Sequence, residues 1–253
     1  MNNFILQGKG LTKKFGGVTA VNQVDFQVKE NEVLGIIGPN GAGKTTLINM
    51  ISRSMPITSG ELYFEDKNIS NLNCCQVGQL GVARTFQIVK PFKNMKVIEN
   101  ATVGALFGNS NKPLKEAKEW AEEVLNFVGL YNKKDAYGDE LTLGQVKRLE
   151  LARALAMKPK IMLLDEVMAG LNHSEINDAL AIIEKLRAKG ITLLVVEHLM
   201  KVIMTISERI LVMHYGAKIA DGTPKEVVSD QQVIEAYLGK KFAEKRGNLI
   251  NAF

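Results

Sequence analysis

Short, almost wholly apolar runs occur near the start of the chain and again after its middle. Residues 33–37, 161–164 and 192–196 are runs of this kind, rich in Leu, Ile and Val. Such runs are typical of strands that are buried on both faces of a parallel sheet. A helical pattern over 176–188, ended by Gly190, separates the last two runs. This strand–helix–strand order predicts a parallel sheet with right-handed crossovers.

A different pattern, in which apolar and polar runs alternate, precedes the first buried strand. Residues 4–6, 18–21 and 24–28 are short strand-like runs, and a glycine pair at 16–17 separates the first two. A further strand is predicted at 60–64. These segments predict a small antiparallel β-region that leads into the parallel sheet.

Between residues 89 and 157 helical spacing replaces the strand patterns. Apolar residues recur there three and four positions apart, at Trp120, Val124, Leu125 and Val128 and again at Leu149, Ala152, Leu155 and Ala156. This spacing predicts a helical insert whose apolar stripes form core packing. After the insert, short strands are predicted at 210–213 and 218–220, followed by a helix that ends near Leu238.

The segment from Gly38 to Thr45 fits the phosphate-binding loop pattern G-x-x-x-x-G-K-[ST]. It lies between the strand at 33–37 and a helical pattern at 46–51, which is the context that supports the motif. Glycines let several backbone N–H groups point at one anion, and the helix N-terminus adds its positive dipole end. Lys44 is predicted to reach the β- and γ-phosphates, and the Thr45 hydroxyl to bind Mg²⁺. The alternative is a glycine-rich turn that happens to precede a lysine.

These patterns together predict an α/β fold with a core of the P-loop NTPase type around a mostly parallel sheet. An N-terminal antiparallel β-subdomain and an inserted helical subdomain complete it. We expect a single domain over 1–253, in which 1–88 and 158–239 form the nucleotide-binding core with the β-subdomain. Residues 89–157 form the helical subdomain and 240–253 a basic C-terminal tail.

Composition narrows the class of protein only a little. The chain has 253 residues, 46% apolar and 23% charged, and its net charge of +5 is spread along the sequence. Scattered lysine and arginine favour a solvated surface over a nucleic-acid site. The two cysteines, Cys74 and Cys75, are adjacent and are expected to be reduced thiols in a cytosolic protein. No apolar run approaches 18 residues and the N-terminus lacks a signal core, so we expect no membrane span.

An acidic pair, Asp165 and Glu166, directly follows the apolar run at 161–164. Carboxylates at the end of a buried strand are costly unless they serve an ion or a ligand. Asp165 is placed to hold Mg²⁺, directly or through water, and Glu166 to activate an attacking water. The alternative is a pair of acids that caps the following helix.

A second helix N-terminus is a candidate for binding an anion. Thr142, Gly144 and Gln145 precede a basic helical segment at 147–156. A hydroxyl and a glycine at a helix start suit a phosphate oxygen. The alternative is an ordinary capping box, because Thr142 and Gln145 have the spacing of one.

The order of these motifs, over nearly the whole chain, resembles that of the ATP-binding subunits of ABC transporters. In that family's terms the matching segments are the Walker A loop at 38–45, the Q-loop at 84–87, the signature at 141–145, the Walker B strand at 161–166 and the D-loop at 169–172. His198 matches the switch histidine, and Phe15 the aromatic residue that stacks on adenine. Taken alone, His198 would more often be a surface or hydrogen-bonded histidine.

Four short segments resemble one branch of that family, the ATP-binding subunits of branched-chain amino-acid importers. They are Ala-Arg-Thr-Phe-Gln at 83–87, Ala-Gly-Leu-Asn at 169–172, Val-Glu-His at 196–198 and Ala-Tyr-Leu-Gly at 236–239. The resemblance therefore implies an ATPase that powers a membrane importer, for branched-chain or related amino acids. Two alternatives remain: the ATPase of a lipid or lipopolysaccharide exporter, and a soluble ABC-type ATPase acting on nucleic acid or ribosomes.

The resemblance also implies the roles of individual residues. Two subunits would pack head to tail, with each ATP between the Walker A loop of one and the signature of the other. The catalytic residues would be Glu166, His198, Gln87 and Lys44, and the Mg²⁺ ligands Thr45, Gln87 and Asp165. ATP would be bound by Phe15, Gly38, Pro39, Asn40, Gly41, Ala42, Gly43, Lys44, Thr45, Thr46, Thr142, Gly144 and Gln145.

The implied partners are two transmembrane permease subunits, a second ATPase subunit and, indirectly, a solute-binding protein. The second ATPase is expected to be a paralogue, with a homodimer as the alternative, and no nucleic acid is expected. The chain would lie peripherally on the cytoplasmic face of the cell membrane. Its helical insert would dock a coupling helix of the permease near Gln87, and an apolar groove between Ile88 and Val97 would support that.

Four positions depart from the family pattern. Thr142 replaces the usual Ser but keeps a hydroxyl, and Leu143 replaces a Gly or an aromatic residue. Val167 replaces the Pro after the catalytic Glu, which affects the rigidity of the loop. Leu199 replaces the Asp after the switch histidine, which loosens the orientation of that side chain. None of these changes removes a catalytic group, so we expect an active ATPase.

Overall fold

The structure is a computed structural model that describes residues 4–86, 90–109 and 113–238. Its strands are β1 Phe4–Phe15, β2 Val18–Lys29, β3 Val33–Ile37, β4 Ser59–Phe64, β5 Lys67–Asn68, β6 Val82–Arg84, β7 Ile161–Asp165, β8 Thr192–Val196, β9 Arg209–His214 and β10 Ala217–Gly222. Its α-helices are α1 Lys44–Ile51, α2 Cys74–Leu80, α3 Val97–Phe107, α4 Leu114–Phe127, α5 Leu143–Ala156, α6 His173–Ala188, α7 Met200–Ile206, α8 Pro224–Ser229 and α9 Gln231–Leu238. Two 3₁₀ turns lie at Tyr131–Lys133 and Gly138–Glu140.

The chain divides into two compact units. Unit 1 comprises Met1–Asn73 and Thr192–Phe253, and unit 2 comprises Cys74–Ile191. The subdomain limits expected from the sequence, with the helical insert at 89–157, stay a prediction.

Unit 1 contains an antiparallel sheet with the strand order β2-β1-β4-β5. The predicted runs at 18–21 and 24–28 are one strand, β2, in which Gln23 has φ 48° and donates its N–H to the Thr12 hydroxyl. A residue in this conformation absorbs a register shift without ending the strand, and the pairing of β1 with β2 is indeed irregular between Leu11 and Lys13. The antiparallel β-region is therefore confirmed, with two long strands over residues 4–29 where the pattern predicted three short ones.

Unit 1 also contains the strands that lead to the phosphate-binding loop. β3 pairs in parallel with β8 on one side and with β9 on the other, and β10 is antiparallel to β9. Every residue of β3 and β8 is buried. The predicted mostly parallel arrangement is confirmed here, and the carboxyl ends of β3 and β8 lead to residues 38–43 and to His198.

Unit 2 pairs β6 and β7 in parallel and packs α3 against α4 and α5. The helical insert is confirmed, because Val124, Leu125 and Leu149 are buried and the Trp120 indole N–H donates to the carbonyl of Ala156 over 3.0 Å. The sequence analysis did not predict α2, β6 or α7. Each is only three to seven residues long, too short for a period to be recognised.

The predicted C-terminal helix is two helices, α8 and α9, which meet at Asp230. The Asp230 carboxylate accepts the N–H groups of Gln232 and Val233, so it caps α9 and ends a continuous helix there. Across the described part of the chain, none of the helices is both long enough and apolar enough to cross a bilayer. Cys74 and Cys75 are exposed free thiols.

Candidate functional site

The phosphate-binding loop of unit 1 is shaped by backbone contacts at its two end glycines. Gly38 has φ 153°, and a Cβ built there would lie 2.2 Å from the Met213 carbonyl oxygen. Gly43 has φ 99°, and its Cβ would lie 2.4 Å from the Ala20 carbonyl oxygen. Because both obstacles are backbone atoms, a side chain at either position would displace the loop.

Helix α1 starts at Lys44 directly after this loop. Gly43 is its N-cap residue and provides no side-chain cap for the first turn. The Lys44 ammonium is buried and donates to the carbonyls of Gly38 (2.7 Å) and Pro39 (3.1 Å). The loop therefore presents uncapped helix N–H groups and a cation, which is the donor set that a phosphate group requires.

Asp165 ends β7 in unit 2 and is almost fully buried. One of its carboxylate oxygens forms an ion pair with Arg84 (2.9 Å), and its N–H donates to the Thr85 hydroxyl. The other oxygen, Oδ1, has no hydrogen-bond partner among the described residues. Burial raises the pKa of Asp165, and Arg84 opposes that shift. A buried carboxylate oxygen without a donor fits a divalent cation, which is the role predicted from the sequence.

Glu166 follows Asp165 with φ 51°, a left-handed conformation that non-glycine residues adopt at a cost of about 1–3 kcal/mol. Its carbonyl accepts the buried ammonium of Lys147 over 3.0 Å. Val167, which takes the place of the usual Pro, is buried. Strain held by a buried contact is typical of functional sites, which supports the prediction that Glu166 is the base.

The signature segment at 141–145 and the D-loop at 169–172 lie against each other in unit 2. A Cβ at Gly144 would lie 2.4 Å from the Glu175 carboxylate, and a Cβ at Gly170 would lie 3.1 Å from the Leu143 side chain. Glu175 is itself fixed in a capping box with Asn172. The departure at Leu143 thus packs on the D-loop while remaining 51% exposed.

Thr142 is the N-cap of α5. Its hydroxyl accepts the Gln145 N–H, and the Gln145 side chain accepts the Thr142 N–H over 3.1 Å. The capping box that the sequence left as an alternative is therefore present. The role of Thr142, Gly144 and Gln145 in binding a phosphate stays a prediction.

The remaining predicted residues lie at strand ends in unit 1 or outside the described chain. Phe15 ends β1 and is 47% exposed, and the Lys13 ammonium lies 5.2 Å from the centroid of its ring. His198 is exposed just after β8. Gln87 lies outside the described residues, and so does Ile88, the first residue of the predicted groove. Val97, the last residue of the predicted groove, is fully buried and belongs to the core.

A cavity of about 200 Å³ lies in unit 2 beside the start of the Q-loop. It is lined by Arg84, Phe86, Val103, Gly104, Phe107, Glu150, Arg153, Ala154 and Met157. Glu150 is buried: one oxygen accepts the Phe86 N–H, and the other has no partner among the described residues. Burial raises the pKa of Glu150 to about 7. The sequence analysis missed this group, although a Glu within an apolar helical stripe is a signal for a buried acid.

Two segments of the chain match known protein families, and the whole chain is similar to known proteins. Residues 21–169 match the ABC transporter family, and residues 217–243 match the family described as branched-chain amino acid ATP-binding cassette transporter. The high-affinity branched-chain amino acid transport ATP-binding protein BraF of Pseudomonas aeruginosa is 40% identical, over 95% of this chain and 100% of its own length. The high-affinity branched-chain amino acid transport ATP-binding protein LivG of Escherichia coli is 37% identical, also over 95% of this chain and 100% of its own length.

Solved structures agree with these matches. A nucleotide-free ATP-binding cassette from an ABC transporter is 34% identical, with a TM-score of 0.84 over 94% of this chain and 100% of that one. The ADP conformation of the cassette MJ1267 is 35% identical, with the same TM-score, over 94% and 99%. The chain belongs to the ABC transporter family of ATP-binding cassettes, in the branch of the branched-chain amino-acid transport proteins. The predicted family, α/β fold and ATPase class are confirmed.

Proposed function

We propose that this cassette hydrolyses ATP, with Mg²⁺, to power a membrane importer of branched-chain or related amino acids. The observation that supports this most is the 40% identity to BraF over the whole length of that protein, combined with an intact phosphate-binding loop. The chain would act from the cytoplasmic face of the membrane, bound to two permease subunits and to a second ATPase, which we expect to be a paralogue.

In unit 1, residues 38–46 would bind the phosphates of ATP. The uncapped N–H groups of α1 would donate to phosphate oxygens, and Lys44 would exchange its two backbone carbonyls for the β- and γ-phosphates. The exposed Phe15 side chain would stack on adenine, and His198 would contact the γ-phosphate. Thr45 is exposed at the first turn of α1, where its hydroxyl is accessible to a cation.

In unit 2, Asp165 would hold Mg²⁺ through its unpartnered oxygen, with Thr45 and Gln87 as the further ligands. A bound Mg²⁺ neutralises charge on the phosphate oxygens. The Glu166 carboxylate would orient the attacking water and accept its proton, while Lys147 holds the Glu166 backbone in place. Thr142, Gly144 and Gln145 would face the ATP bound by the other ATPase subunit.

The cavity beside Phe86 would receive a cytoplasmic segment of the permease. Its walls are mainly apolar, and Phe86 and Phe107 are 53% and 73% exposed, so a docked segment would bury apolar surface. A donor on that segment would satisfy the second oxygen of Glu150. Glu150 accepts the backbone N–H of Phe86, and Phe86 directly precedes Gln87. Docking would therefore act on the Q-loop directly.

Transport in cells that lack the native protein tests the proposal. Cells that carry the wild-type gene should take up radiolabelled leucine, and cells that carry Glu166→Gln should not, although both proteins are produced. Affinity purification of wild type from mildly solubilised membranes should recover two multi-span proteins and a second ATPase. Leucine, isoleucine and valine uptake that is independent of the gene would contradict the importer assignment. Co-purification with lipid-export components would favour the exporter alternative.

A further inference from the structure

Lys13, near the end of β1, is a buried cation beside the exposed side chain of Phe15. Only 8% of Lys13 is exposed. Its ammonium donates to the carbonyl of Pro56 over 2.7 Å and lies over the Phe15 ring, 5.2 Å from the ring centroid. A cation within about 6 Å of a ring centroid is attracted to the face of that ring. The buried charge of Lys13 therefore has two specific contacts in unit 1, a carbonyl and an aromatic face.

Two further hydrogen bonds join the end of β1 to the segment that follows α1, to which Pro56 belongs. The Thr58 N–H donates to the Thr12 carbonyl over 2.9 Å, and the Lys14 N–H donates to the Thr58 hydroxyl over 3.0 Å. Helix α1 is the element whose first turn would bind the phosphates. The strand that ends in Phe15 is therefore tied to the chain immediately after that helix.

The hairpin that carries Phe15 also contacts the phosphate-binding loop. Phe15 pairs with Val18, the first residue of β2. Two residues further along β2, Ala20 lies against the loop, because a Cβ built at Gly43 would lie 2.4 Å from the Ala20 carbonyl oxygen. This arrangement suits a single nucleotide whose phosphates bind at the start of α1 and whose base reaches Phe15.

We propose that Lys13 is a positioning residue that holds the Phe15 ring in the orientation in which adenine stacks on it. This inference rests on the adenine stacking proposed above for Phe15 and is independent of the transported solute. An exposed phenylalanine ring can turn about its side-chain bonds, and an ammonium held over one face by the Pro56 carbonyl restricts that motion. Adenine stacks on the opposite face, and less entropy is lost on binding because the ring is already ordered.

The variant Lys13→Met removes the charge and keeps a long unbranched side chain. Loss of the contact with the ring predicts a dissociation constant for ATP, measured by isothermal calorimetry, that is about threefold to fivefold higher. The dissociation constant for inorganic tripolyphosphate, which has no base to stack, should equal that of wild type. The matched control is Lys14→Met, which removes the neighbouring exposed charge; its affinity for both ligands should equal that of wild type.

A double-mutant cycle with Phe15→Ala separates the role of Lys13 from the stacking on which it rests. Phe15→Ala should weaken ATP binding by about fivefold to 100-fold and leave tripolyphosphate binding unchanged. Adding Lys13→Met to that chain should cause no further loss, because the ring is gone. Wild-type ATP affinity in Phe15→Ala would overturn the stacking, and the role of Lys13 with it. If Phe15→Ala weakens ATP binding but Lys13→Met does not, or if Lys13→Met weakens both ligands equally, only the role of Lys13 is overturned.

Tripolyphosphate binding also reports whether unit 1 of each variant is folded. If Lys13→Met does not fold, the second variant is Lys13→Gln, which keeps an N–H donor for the Pro56 carbonyl but places no charge over the ring. It should show the same selective loss of ATP affinity. Wild-type affinity for ATP in Lys13→Gln would contradict the proposal, because the charge over the ring would then have no part in binding.

Discussion

Two helices of this protein begin with a sequence suited to an anion, and their first turns differ in one respect. Helix α1 starts after Gly43, an N-cap residue that provides no side-chain cap. Helix α5 starts after Thr142. The Thr142 hydroxyl accepts the backbone N–H of Gln145, and the Gln145 side chain accepts the backbone N–H of Thr142. The first N-terminus is ready for a phosphate, whereas the second is complete without one.

This difference separates a site that binds a nucleotide in a single chain from a surface that contacts a nucleotide held by another subunit. A phosphate at α1 does not have to displace a side-chain cap of the N-cap residue, so binding there should be strong in a single chain. A phosphate at α5 must compete with an existing cap worth about 1 kcal/mol. We therefore expect α5 to contribute only when a nucleotide already held by another subunit is brought to it.

The largest expected effect is a loss of ATP turnover without a loss of ATP binding at α1. Glu166→Gln removes the base while keeping the side-chain volume, so the rate of phosphate release should fall by on the order of 10²–10⁴-fold. Affinity for a fluorescent ATP analogue should stay within about threefold of wild type, because the donors at α1 are unchanged. Near-normal steady-state hydrolysis in this variant would remove Glu166 from the role of base.

The next effect compares one glycine from each N-terminus. Gly43→Ala forces φ 99° on an alanine and places its Cβ against the backbone of Ala20, so ATP affinity should fall at least about tenfold. Gly144→Ala meets the carboxylate end of Glu175, which can turn aside at the cost of its cap. That variant should keep wild-type ATP affinity as a single chain. If both alanine variants bind ATP equally, the contrast between the two helix starts is wrong.

A third prediction concerns Glu150, two turns along α5, whose second oxygen is not satisfied within the described chain. Desolvation raises its pKa from 4.5 to about 7, while the Phe86 N–H, Lys147, Arg153 and Arg84 oppose the shift. The folded chain thus binds the proton more tightly than the unfolded chain. The stabilisation is complete below pH 4.5 and is lost as the pH rises through about 7, by roughly 3 kcal/mol.

The variant Glu150→Gln tests the direction of this pH dependence. In urea denaturation between pH 5 and 8, the variant should lose this part of the pH dependence of the free energy of unfolding. Wild type should become less stable relative to the variant towards pH 8. A wild-type chain that gains stability relative to Glu150→Gln over this range would show that Glu150 is stabilised in its ionised form.

The smallest effect is the capping energy itself. Thr142→Ala removes the acceptor for the Gln145 N–H, so the free energy of unfolding should fall by about 1 kcal/mol. Thr142→Ser, which restores the hydroxyl, is the matched control and should recover most of that loss. Thermal or urea unfolding measures both, and equal stability of the Ala and Ser variants would mean that the cap does not form in solution.

The elements that were predictable share a physical cause. β3 and β8 were predicted to the residue, because a strand buried on both faces needs only an unbroken apolar run. β6, with three residues, has too few positions to show a pattern. The phosphate-binding loop was predicted because its contacts are local: glycines, a lysine and a helix start within eight positions.

The unpredicted parts of the site are pairings between distant residues. Arg84 and Asp165 are 81 positions apart and meet because β6 and β7 are neighbours in the sheet. Glu150 reaches the Phe86 N–H across 64 positions. Such contacts depend on how elements pack, which a single sequence does not encode in any local pattern, although a buried charge within an apolar stripe signals that a partner exists.

The most direct test of the contrast between the two helix starts is ATP titration of three chains under conditions in which each is a monomer. Isothermal calorimetry would compare wild type, Lys44→Ala and Thr142→Ala. We predict that Thr142→Ala binds ATP within about twofold of wild type and that Lys44→Ala binds at least about 30-fold more weakly. A loss in Thr142→Ala as large as that in Lys44→Ala would contradict the account, because α5 would then be part of the primary nucleotide site.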